Sequence, residues 1–183
     1  MKLTAFSNLE AALLADGVPR DRIYPINVDK ALKKMDELKP HVQIWWKTGG
    51  QAQQAMRQKG VDAALFSEGR VIQLMVQKVP VNFEWNDQLG ILDYLTILKG
   101  SKNKDAAMKF IAFASDPKRQ AAFAEGTYYG APNAKAYNFI SKEKAVLLPT
   151  YPENFAKAVV VNEDWYAEHE DSVETKWDAW RMK

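Results

Sequence analysis

The chain contains no cysteine, which excludes disulfides, thiol chemistry and cysteine-ligated zinc. It has only two histidines, His41 and His169. They are far apart and outside any H-E-x-x-H arrangement, so no metal or other cofactor is expected. Long apolar runs are also lacking. None approaches the ~20 residues that a membrane-spanning helix needs. The opening residues MKLTAFSNLE lack the apolar core of a signal peptide, which suits a cytosolic chain or a mature or trimmed form of an exported one. A charge excess of one sign is missing as well: 25 basic residues face 23 acidic ones, for a net charge of +2. That balance gives no long-range field to attract nucleic acid, and nucleic-acid binding is not expected. Enzyme signatures are absent too. There is no G-x-S-x-G, no phosphate-binding loop, no dinucleotide fingerprint and no credible Ser/His/Asp set. The acidic stretch AEHEDSVE (167–174) fits a charged helix face.

What remains is a globular composition, 47% hydrophobic and 26% charged over 183 residues. NLEAALLADG (8–17) predicts a helix capped by Asn8 and ended by Gly17. DKALKKMDELKP (29–40) predicts a second, with Asp29 as cap, Leu32, Met35 and Leu38 as its apolar stripe, and Pro40 as its stop. QAQQAMRQKG (51–60) predicts a third, and GRVIQLMVQK (69–78) either a helix or an extended crossover. HVQIWW (41–46), VDAALF (61–66), VNFEWN (81–86) and ILDYLTIL (91–98) read as strands. Residues 101–126 predict a helix pair. Ala107, Phe110, Ile111 and Ala114 line the first member, and Asp116-Pro117 opens the second. Residues 162–183 predict a terminal helix anchored by Trp165, Val173, Trp177 and Trp180. Alternating helices and strands imply an α/β class with a partly parallel sheet, and a boundary is expected near VQKVP (76–80).

Trp45-Trp46 stand at the end of a strand, before Gly49-Gly50 and a helix start. In an open α/β sheet, ligands bind beyond the carboxyl ends of strands. There the free N–H groups of the helix suit an anion, and an indole face suits a cation. A core tryptophan followed by a plain turn explains the same residues. Ser67 and Glu68 end the next strand and suit either the same crevice or an ordinary helix start. Asp93 interrupts an apolar run, so it needs a partner, either a bound cation or a structural ion pair.

VQIWWKTGGQAQQAM, GVDAALFSEGR, WNDQLGILDYLTILKGSKNKDAAMKFIAFASDPKRQAAFAE, YYGAPNAKAY and LPTYPENFAKAVVVNEDWYAEHEDSVETKWDAW occur in an order that resembles the spermidine/putrescine-type solute-binding proteins of ABC transporters. The resemblance runs from residue 8 to 181 and matches the C-terminal half of such proteins. It implies a type II periplasmic-binding-protein fold, here a partial two-lobe architecture. Residues 1–78 would belong to the second α/β lobe, 79–140 would return to the first, and 141–183 would form C-terminal helices bracing both. The implied function is capture of a small polyamine-like cation in an interlobe cleft, for delivery to a membrane permease. The parent protein would be periplasmic. Asp93 matches the family's acid that receives an amino group. Trp45, Trp46, Thr48, Ser67, Glu68, Tyr128 and Tyr129 fall where cleft residues are expected. Relatives carry Trp-Asn-Gly-Arg where this chain has Ser67-Glu68-Gly69-Arg70, so an aromatic wall is lost and a carboxylate gained. The competing expectation is a ligand-free fragment that self-associates through open sheet edges.

Overall fold

In a computed structural model describing residues 1–183, the chain divides into two compact units. One comprises Met1–Gly90 and Ala158–Lys183, the other Ile91–Lys157.

The first unit contains α1 (Asn8–Ala15), α2 (Val28–Leu38), α3 (Gly49–Arg57), α4 (Glu68–Val76), β1 (Leu89–Gly90), β2 (Val159–Val160) and α9 (Glu163–Arg181). The second contains α5 (Lys104–Ala114), α6 (Pro117–Thr127), α7 (Lys142–Ala145) and α8 (Pro152–Phe155). The only ladder is the short parallel pair of β1 and β2, with Leu89 opposite Val159.

All the predicted helices form, with caps shifted by a residue or two. Asn8 does not cap α1; it is fully buried, and its side-chain amide donates to the carbonyls of Lys2 and Thr4 at 2.8 Å. In α2 the cap is Asn27, which accepts from the Lys30 N–H at 3.0 Å, rather than Asp29. Asp29 takes up the Lys176 ammonium of α9 instead. Gly17 ends α1 as expected, with a left-handed φ of 78° that a side chain would resist. Residues 69–78 resolve in favour of helix. Asp116 caps α6 with two accepted N–H bonds and Pro117 behind it.

The four predicted strands do not form ladders. Residues 61–66, 81–86 and 91–98 carry no strand pairing, and 41–46 contributes a single parallel bridge from Trp46 to Lys2. A strand exists only when a neighbour supplies hydrogen-bond partners, and within this chain these segments have none beyond Met1–Leu3.

The first unit's core joins Leu9 and Leu13 of α1, Leu32 and Met35 of α2, Val159 and Val161, and Val173, Trp177 and Trp180 of α9. Trp177 is fully buried, and its indole N–H donates to the Leu3 carbonyl at 2.7 Å. The Trp180 indole N–H donates to Asp36 Oδ1 at 2.7 Å. Both tryptophans therefore bury a large apolar body while keeping the polar atom satisfied. Glu10 of α1 lies in the same region, wholly buried. It accepts hydrogen bonds from the hydroxyls of Tyr24 at 2.6 Å and Tyr166 at 3.1 Å. The second unit's core is smaller and built around Ala121, Ala124, Ala136, Ile140 and Leu148.

Candidate functional site

Two helix starts converge in the first unit. Thr48 opens α3 through a capping box. Its Oγ1 accepts from the Gln51 N–H, and Gln51 Oε1 accepts in return from the N–H groups of Lys47 at 2.7 Å and Thr48 at 3.1 Å. These bonds pin the turn that follows the two tryptophans. Ser67 occupies the corresponding position before α4, but its side chain makes no capping bond.

Between the two helix starts lies Arg70. Its guanidinium runs directly over Gly49, so close that a Cβ added at Gly49 would stand 2.6 Å from Arg70 Nε. A side chain at position 49 would force the guanidinium to shift. Arg70 Nη1 points to Gln53 Oε1 at 3.5 Å, and the Gln53 amide donates back to the Arg70 carbonyl at 3.4 Å. No carboxylate of the chain forms an ion pair with Arg70. A half-buried guanidinium with planar donors and no anion presents a fork suited to a carboxylate.

Glu68 sits on the same first turn of α4. It is half-buried and has no cationic partner, and loss of solvent pushes its carboxyl above the usual carboxylate range. A hydrogen bond from its own backbone N–H opposes that shift without cancelling it.

The two tryptophans point to different places, as strand alternation requires. Trp45 packs edge-on against Trp177 and Trp180, with ring centroids 5.8 and 6.2 Å away. Trp46 is 9% exposed, and its indole N–H is buried without a hydrogen-bond partner. It borders a cavity of about 10 Å³ lined by Met1, Ile44, Ala52, Ala55, Val61, Ala63 and Ala64.

The remaining predicted site residues belong to the second unit. Asp93 lies exposed outside any helix or strand and makes no ion pair. Tyr128 ends α6 in a left-handed conformation and packs on the alanine-rich core, while Tyr129 beside it is exposed. Thr48, Ser67, Glu68 and Trp46 thus share one unit, and Asp93, Tyr128 and Tyr129 share the other.

Arg70 is the residue that sequence reasoning passed over. One signal was present: a Gly-Arg pair retained from the family turn.

Comparison with known proteins gives this geometry its context. The pattern of the bacterial extracellular solute-binding protein family matches residues 2–155, and the chain belongs to that family. A gamma-aminobutyric acid-binding protein of Pseudomonas aeruginosa is 34% identical over 180 residues, which is 96% of this chain and 51% of that protein. Among solved structures, the Atu4243-GABA receptor superposes with a TM-score of 0.86 at 34% identity, covering 98% of this chain and 55% of its own. An ABC-transporter substrate-binding protein from Bradyrhizobium japonicum gives 0.89 at 37%, covering 98% and 56%. A periplasmic binding protein from A. tumefaciens in complex with agropinic acid gives 0.85 at 29%, covering 100% and 57%. The partial periplasmic-binding-protein architecture expected from the sequence is therefore the one found. The chain spans about half the length of the curated relative it matches.

Proposed function

We propose that this chain supplies part of the solute-binding receptor of an ABC importer, and that its solute is a small γ-amino-acid-like zwitterion. The observation that carries the reading is Arg70, a guanidinium held over Gly49 beside the start of α3 with no protein anion to neutralise it. A zwitterion needs a cation for its carboxylate, and Arg70 together with the α3 N-terminus offers one. The polyamine suggested by the sequence resemblance has no carboxylate, and it would bring like charge toward the guanidinium. The 34% identity to a gamma-aminobutyric acid-binding protein supports the same choice.

In this reading Thr48, Ser67, Glu68 and Trp46 complete the surroundings of Arg70 within the first unit. Asp93, exposed in the second unit with Tyr128 and Tyr129, is by its charge an acceptor for an ammonium group. Trp45 is the weakest member of the set, because α9 engages its ring edge-on. Binding involves no covalent step. The parent protein works outside the cytoplasmic membrane and hands its solute to a permease.

The test is a chimera in which this chain replaces the matched part of the Pseudomonas aeruginosa protein. Calorimetry should show γ-aminobutyrate binding, lost by about 100-fold in Arg70→Ala, as expected when one partner of a charge-assisted pair is removed. Unchanged affinity in that variant would overturn the assignment of Arg70.

A further inference from the structure

The Arg70 side chain has one hydrogen-bonding partner in the chain, Gln53 of α3. Positions 49 and 53 stand one turn apart on the same face of that helix. The guanidinium lies along this face. Its Nε passes over Gly49, and its Nη1 points to Gln53 Oε1 at 3.5 Å. The Gln53 amide turns its other end to the main chain and donates to the Arg70 carbonyl at 3.4 Å. One side chain therefore grips both the head and the root of the arginine, and ties α3 to the first turn of α4.

The chemistry of position 53 matters as much as its place. A carboxylate there would reach the same donors and neutralise them, because charge-assisted pairing is stronger than pairing with an amide. An apolar side chain would leave the guanidinium free among its rotamers, and the solute would have to impose the order on binding. A neutral amide does neither. It accepts one N–H, fixes the direction of the planar fork and leaves the charge available. Both side chains are half-buried. A guanidinium partly withdrawn from water attracts an anion more strongly than one in bulk solvent.

We propose that Gln53 is the positioning residue of the solute site: a neutral buttress that aims the Arg70 guanidinium without occupying its charge. The inference rests on the reading of Arg70 as the carboxylate-binding group. It adds a rule of specificity to that reading. The site selects a carboxylate-bearing solute only while residue 53 is uncharged and long enough to reach the guanidinium. A glutamate at 53 turns Arg70 into half of an internal ion pair, and the solute carboxylate must then compete with a tethered one.

The test has a solute-free arm and a binding arm. In this chain, the carboxyl introduced by Gln53→Glu should titrate by NMR as at least ~10-fold more acidic than an ordinary glutamate, and should lose that acidity when Arg70→Ala is added. In the chimera with the Pseudomonas aeruginosa protein, calorimetry compares γ-aminobutyrate with putrescine. Gln53→Glu should weaken γ-aminobutyrate binding by at least ~10-fold and leave putrescine binding no weaker. Gln53→Leu should weaken γ-aminobutyrate binding by ~3–10-fold with little change in melting temperature. A carboxyl of ordinary acidity, parent affinity in Gln53→Glu, or equal weakening of both solutes with a lowered melting temperature would overturn the proposal. Arg70→Ala, run alongside, separates the two claims. If it leaves γ-aminobutyrate affinity unchanged, the reading of Arg70 falls and the role of Gln53 with it. If affinity is lost there but kept in both Gln53 variants, the role of Gln53 alone falls.

Discussion

Two buried or half-buried carboxylates of the first unit behave in opposite ways toward their neighbours. Glu10 is wholly enclosed but accepts from two tyrosine hydroxyls, whereas Glu68 has no such partners. Burial pushes both above the ordinary carboxylate range, because desolvation outweighs the stabilising hydrogen bonds. The carboxylate also raises the Tyr24 and Tyr166 hydroxyls further than burial alone. An acid whose pKa is higher in the folded than in the unfolded state binds protons preferentially when folded. Its stabilising contribution is full below the unfolded value of 4.5 and is lost as pH rises through the folded value. Chemical denaturation of Glu10→Gln from mildly acidic to neutral pH should therefore show a flatter pH profile than the parent. An unchanged slope would remove Glu10 as its origin. Glu10→Ala should cost ~2–4 kcal/mol, since the buried Tyr166 hydroxyl and the partly buried Tyr24 hydroxyl lose their acceptor. At the solute site, Gly49→Ala would drive the new methyl into Arg70. The guanidinium is flexible enough to move away, so the expected effect is weaker γ-aminobutyrate binding in the chimera with little change in melting temperature.

At the scale of elements, the sequence was informative about helices and misleading about strands. Helix signals are local. The Asp116-Pro117 start and the Gly17 stop act within a turn or two, and each is found in place; of the predicted α2 stripe Leu32 and Met35 are buried, whereas Leu38 at the helix end is exposed. Strand signals describe only one side of a pairing. ILDYLTIL has the composition of a sheet interior, but nothing in its own eight residues says whether a neighbour exists. The observed ladder instead uses Leu89–Gly90, which lies between two of the predicted strands, because Val159 and Val161 come alongside to bond Gln88 and Gly90. The candidate site was legible in part. Gly49-Gly50 reads from sequence only as the glycines before a helix start, yet the Arg70 side chain, twenty-one positions away, packs over Gly49, and no periodicity reports such a contact. The capping box at Thr48 supplies a further check. Thr48→Ala should lower the stability of the first unit by ~1 kcal/mol and loosen the turn beneath Arg70, measurable by denaturation and by faster amide exchange at Gln51.

At the scale of the whole molecule, the two units differ in how complete they are. The first has a continuous core from α1 through α9, closed by Trp177 and Trp180 with both indole N–H groups satisfied. Trp177→Ala should cost ~3–5 kcal/mol there, the usual penalty for removing a fully buried large aromatic. The second rests on alanines and leaves its large apolar residues in water, so its amides should exchange well before those of α1 and α9. Arg70, the group proposed to bind the carboxylate, belongs to the better-packed unit. The most direct test compares γ-aminobutyrate with putrescine on the chimera by calorimetry, each with Arg70 intact and as Arg70→Ala. If Arg70 holds the carboxylate, γ-aminobutyrate binds at least ~100-fold more tightly than putrescine, and Arg70→Ala erases that preference. Tighter binding of putrescine, or a preference that survives Arg70→Ala, would contradict it.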